Sequence, residues 1–155
     1  MRVLLMKKFL LLLTVIMIFT SSYVFAGEKE FFQESMRTIL ETGGKIKNIT
    51  DTLKPNTRLY IYKQLPSMKE TLSTSMQTIN DIKAQAMQEI SSQALQTVLQ
   101  DTASIQLLTI NAAAELLEIY ENNGAISEKN YRSVVSKYEK EAKRLQRSLE
   151  KYKNM

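Results

Sequence analysis

The 155-residue chain has no cysteine, no histidine and no tryptophan. The missing thiol excludes disulfides, thiolate nucleophiles, zinc fingers and iron–sulfur clusters. The missing imidazole removes the commonest general base and the commonest metal ligand. Four glycines and two prolines are too few for a turn-rich all-β domain. No G-x-S-x-G and no glycine-rich phosphate loop occurs. Carboxylate pairs remain as a route to glycoside hydrolysis. That chemistry needs a cleft lined by aromatics, and a narrow bundle without tryptophan offers little of one. The expectation is a protein that is not an enzyme, with no catalytic residues, no cofactor and no bound metal.

The longest apolar run, Phe9–Thr20, follows Lys7-Lys8 and precedes Ser21-Ser22 and Val24-Phe25-Ala26. A charged start, an apolar stretch of this length and a small-residue V-x-A end make a cleavable export signal. Cleavage is expected after Ala26, with Gly27 as the first mature residue. Met6-Lys7-Lys8 opens such a leader by itself, so Met1–Leu5 reads as an upstream extension. As a membrane span, Phe9–Ala26 is short for ~30 Å of hydrocarbon, and two serines interrupt it. The short, lysine-led style is bacterial, which points to the periplasm or the medium. The leader carries Arg2, Lys7 and Lys8, so its loss takes the net charge from +5 to +2. So small a balance gives no argument for nucleic-acid binding.

Residues 27–155 read as a single all-α domain: an elongated bundle of three to four long amphipathic helices with coiled-coil-like packing. A first helix is expected at about 28–53. Phe32, Met36, Ile39, Gly43, Ile46, Thr50 and Leu53 alternate steps of four and three, the seam of a helix packed on others. Gly43-Gly44 costs about 2 kcal/mol of helix propensity relative to alanine. Gly43 nevertheless falls on the seam, where a missing side chain admits a neighbouring backbone, so a continuous or kinked helix is expected, with a break at the glycine pair as the alternative. Pro55 with Asn56 or Thr57 marks a turn. Residues 58–65 then read as a short aromatic segment laying Tyr60 and Tyr62 across one end of the bundle.

Ser67-Met68-Lys69-Glu70 has the form of a capping box and is expected to start the next helix. No glycine or proline follows until Gly124. Residues 67–122 are therefore one helix or a pair, and the weak helix formers Ser91-Ser92 or Asp101-Thr102 are the places for a reversal. Asn122-Asn123-Gly124 tolerates the left-handed geometry that ends a helix. Ser127 is expected to cap a last helix at about 127–153. Its seam is Tyr131, Val135, Tyr138, Ala142, Leu145, Leu149 and Tyr152.

Charge is unevenly placed. Residues 84–126 hold five acids and no base, whereas residues 127–155 hold nine bases and four acids. Glu115, Glu118 and Glu121 form a ladder near a helix C-terminus, where the dipole disfavours acids. Lys129 or Arg132 across the turn are expected to offset it. On the last helix Lys137, Lys140, Arg144, Arg147 and Lys151 fall on the side away from the seam. They form a candidate stripe for an anionic partner. The functional expectation is binding or assembly in the bacterial envelope, as an accessory of a conjugation or secretion apparatus, with envelope proteins as partners. An anionic membrane or cell-wall surface met by the stripe is the first alternative. A periplasmic holdase chaperone using the adaptable side chains of Met68, Met76 and Met87 is the second. Export makes nucleic acid a poor partner, and oligomers are compatible with such a surface.

Overall fold

A computed structural model describes residues 26–55 and 61–153 of the chain. Among them lie four α-helices and no strand: α1 (Ala26–Thr52), α2 (Leu65–Glu89), α3 (Gln93–Asn123) and α4 (Glu128–Glu150). A 3-10 turn at Ile61–Lys63 precedes α2. The chain is thus an all-helical bundle. The export leader, the turn at Asn56 and Thr57 and the placing of Tyr60 lie outside the described residues.

Helix α1 runs unbroken through Gly43-Gly44. Its seam is the core: Phe32, Met36, Ile39, Ile46 and Leu53 are at most 1% exposed. Burying side chains of this size contributes about 1.5–3 kcal/mol each, enough to offset the glycine pair. Thr50, half-buried on the same seam, turns its hydroxyl back to the Lys47 carbonyl at 2.9 Å. The close neighbour at Gly43 is a side chain and not a backbone. A Cβ built on Gly43 would lie 2.2 Å from Nε2 of Gln106, while one on Gly44 would meet open space. Gln106 is buried on α3 and donates to the Ile39 carbonyl at 3.4 Å. The polar group that needs the glycine is therefore held by the turn of α1 just before it.

The stretch from 67 to 122 is a pair of helices with the reversal at Ile90-Ser91-Ser92. Ile90 leaves the helical region (φ −118°, ψ 117°) and buries its side chain. The Ser92 hydroxyl accepts from the Leu95 amide at 3.5 Å and caps α3. Two tertiary contacts fasten this turn. Gln96 donates its amide to the carbonyls of Ala86 and Ile90 at 3.2 and 3.3 Å, the first shared with the Ile90 amide and the second beyond the end of α2. Glu28, in the first turn of α1, accepts from the Ser91 amide at 3.1 Å and from the Ser91 hydroxyl. The serine hydrogen bond holds the Glu28 carboxyl below its ordinary pKa.

The capping box expected at Ser67–Glu70 is not used. Helix α2 starts at Leu65, with Gln64 as the flanking residue, no side-chain cap and Pro66 in the first turn. Proline is preorganised for a first turn and gives up an N–H that has no partner there. The helix therefore starts before Ser67. At the same end, Ile61 is the buried anchor and Tyr62 is 53% exposed, its ring 5.5 Å from that of Tyr120. Gly124 closes α3 in the left-handed region (φ 70°), and its amide donates to the Tyr120 carbonyl at 2.7 Å.

Helix α3 is the axis of the bundle. It packs against α1, α2 and α4, and α1 also touches α2. Pairs between helices fix the directions. Glu28 with Ser91, just before α3, and Gln106 with Ile39 together set α1 alongside α3 in the same sense. Lys83 with Ser104, and Lys69 with Glu121, run α2 against it. The short connection between Asn123 and Glu128, with the Lys137–Glu115 pair, does the same for α4. From Ala94 to Leu117 no residue of α3 is exposed. An enclosed helix has little room for solvated cations, which accounts for the lack of lysine and arginine across residues 94–117.

Candidate functional site: the outer face of α4

Ser127 sets the start of α4, its hydroxyl accepting from the Asn130 amide at 3.1 Å. The helix is carried chiefly by α3. Tyr131 and Leu149 of its seam are buried, whereas Val135, Tyr138, Ala142, Leu145 and Tyr152 are half-buried. Val134, off the seam, is buried as well. A helix held by one neighbour covers a narrow stripe, so most of this seam stays near its edge.

All five basic residues of the expected stripe are exposed, but they are not equivalent. Lys137 reaches back to α3 and donates to Glu115 at 2.9 Å, with its ammonium 4.9 Å from the Tyr138 ring centroid. Arg144 pairs along its own helix with Glu141. Neighbouring Lys143 pairs with Glu139 at 3.1 Å, and Arg132 with Glu128 at 2.7 Å. Lys140, Arg147 and Lys151 pair with no carboxylate among the described residues. Lys140 and Arg147 are seven residues apart and share a heptad position, with Lys151 one turn further.

The acidic ladder is dispersed rather than pooled. Glu115 takes Lys137 and the Tyr138 hydroxyl, each at 2.9 Å, and Glu121 takes Lys69 at 2.6 Å. Glu118 is exposed. The compensating cations are thus Lys137 and Lys69, not Lys129 or Arg132. Rotation along the helix aims the three carboxylates at different neighbours, so no metal-holding trio of His, Cys, Asp or Glu forms among the described residues. An open groove of about 690 Å³ between α1 and α2 is lined by Lys45, Asn48, Lys63, Ser67, Thr71 and others, with Glu70 as its one carboxylate. No helix of the described residues is long and apolar enough to cross a membrane.

The Glu115 clamp is electrostatically tuned. The Lys137 ammonium, opposed by partial burial and aided by the Tyr138 hydroxyl, holds the Glu115 carboxyl below its ordinary pKa. Glu115 in turn raises Lys137. Burial, reinforced by Glu115, raises Tyr138. A depressed carboxylate contributes stability above its unfolded value of about 4.3 and loses it as pH falls through the lower folded value. A raised lysine contributes below its unfolded value of about 10.4 and loses it as pH climbs through the higher folded one. The clamp is therefore complete across the neutral range and fails at both extremes. Thermal melts of Glu115→Gln should show a shallower loss of stability toward pH 3 than the parent. Identical acid slopes would contradict the clamp.

Compared with protein families, curated proteins and solved structures, the chain matches none of them.

Proposed function

We propose that this is an exported, non-enzymatic binding protein of the bacterial envelope, in which the outer face of α4 docks on an anionic envelope component. One observation carries the reading. Lys140, Arg147 and Lys151 line one exposed face, and no carboxylate among the described residues neutralises them. Their charge is available to a partner, whereas that of Lys137 and Arg144 is largely spent within the chain. The export signal expected at residues 1–26 supports this reading, since an exported face meets anionic lipids, wall polymers and envelope proteins. A role as an accessory of a conjugation or secretion apparatus fits this reading by analogy of architecture alone.

Fractionation tests it. In a bacterium expressing the full chain, the exported protein should pellet with envelope fragments at low ionic strength. It should be released at about 1 M salt, where the screening length falls to ~3 Å. The variant Lys140→Glu/Arg147→Glu/Lys151→Glu should remain in the supernatant. A parent protein found wholly in the supernatant at low salt would overturn the reading.

A further inference from the structure

Resting on that reading of α4, we infer that the component met by Lys140, Arg147 and Lys151 is the surface of an anionic phospholipid bilayer, on which α4 lies flat without leaving α3. The first argument is shape. The three cations project from the outside of α4 and its C-cap residue Lys151, a convex ridge spanning eleven residue steps or about 16 Å. Many headgroup phosphates in a plane can meet such a row in any register.

The second argument is what the face lacks. A specific protein interface is organised around buried aromatic or aliphatic anchors, with charges at its rim. Among the described residues the exposed large apolar side chains are Tyr62 and Met87, and neither is on α4. The apolar residues of α4 are turned to α3, with Leu149 and Val134 at 0% and 3% exposure. A partner arriving at the outer face finds charge without an anchor, which is what a charged plane requires and a sculpted protein surface does not.

The third argument is magnitude. A lysine or arginine near an anionic membrane raises partitioning about fivefold, so three together give about 100-fold. Such binding is peripheral, reversible and sensitive to salt, and Leu149 and Val134 stay in the core.

Vesicle co-sedimentation of the protein, purified as exported, tests this. It should pellet with vesicles containing phosphatidylglycerol at low salt, be released at about 1 M salt, and ignore pure phosphatidylcholine. Lys140→Gln/Arg147→Gln/Lys151→Gln should bind about 100-fold more weakly, with an unchanged helical circular-dichroism spectrum. Lys29→Gln/Lys45→Gln/Lys63→Gln removes the same charge elsewhere and should bind within a few-fold of the parent. Equal weakening in both triple variants would overturn the assignment to α4. Failure to pellet with anionic vesicles, in a protein still retained by the envelope, would overturn the bilayer and leave the docking face for a protein or wall polymer. Failure in both experiments would remove the docking face itself.

Discussion

Leu149→Ala is expected to destabilise the protein by about 2–5 kcal/mol and to free the C-terminal half of α4 first. Leu149 is fully buried at the far end of a helix whose intervening seam residues, Val135, Tyr138, Ala142 and Leu145, are only half-buried. Tyr131 and Val134 hold the other end. Between these two pins α4 is attached by modest burial and by the Glu115 clamp. Removing one pin leaves a cavity and shortens the docked segment. Leu145→Ala, at a half-buried position, should cost clearly less. Urea denaturation measures both, and limited proteolysis should cut Leu149→Ala near its C-terminus before the parent is touched. Equal effects at 145 and 149 would mean that α4 is not pinned in this way.

The adjacent glycines of α1 should respond to alanine with opposite signs. Gly44 faces open space, so Gly44→Ala should stabilise by about 1 kcal/mol through helix propensity alone. Gly43→Ala gains the same propensity but drives a methyl group into the Gln106 amide. The amide then loses the Ile39 carbonyl in a buried site, which costs about 1–3 kcal/mol and more if the core must shift. The net effect is a loss of stability, and Gly43→Leu should cost about 3 kcal/mol or more. Shortening the opposing residue provides the control. In the Gln106→Ala background Gly43→Ala should be neutral or better, a coupling that a double-mutant cycle reads directly. If Gly43→Ala stabilises the parent as much as Gly44→Ala does, Gln106 does not fill that space.

How much of this could be read from the sequence differs from helix to helix. The α1 seam was fully legible, since period and burial agree from Phe32 to Leu53 and only Thr50 is half-exposed. The α4 seam was legible as a period but not as a depth. Seven residues in strict alternation look like core, yet a helix carried by one neighbour buries only its ends and Val134. Gln106 was missed because glutamine reads as surface. The clue was Gly43, a seam position without a side chain, but naming its neighbour requires the register between α1 and α3. The reversal fell at the serine pair and not at Asp101-Thr102. What separates them is tertiary: Gln96 and Glu28 satisfy the open turn, whereas Thr102 sits buried with its hydroxyl on the Val98 carbonyl at 2.7 Å. The capping box failed because Pro66 starts α2 before Ser67 can cap it. The basic stripe was legible as a face. Its division into paired and unpaired cations was not, since the Lys137 partner lies twenty-two residues away across a helix boundary.

An enclosed α3 with α4 carried on its outside can be tested directly by amide hydrogen exchange resolved along the chain. Exchange should be slowest across residues 94–117 and clearly faster across 128–150, because α4 opens without unfolding the rest. Protection in α4 equal to that in α3, or an α3 that exchanges as fast as α4, would contradict the arrangement.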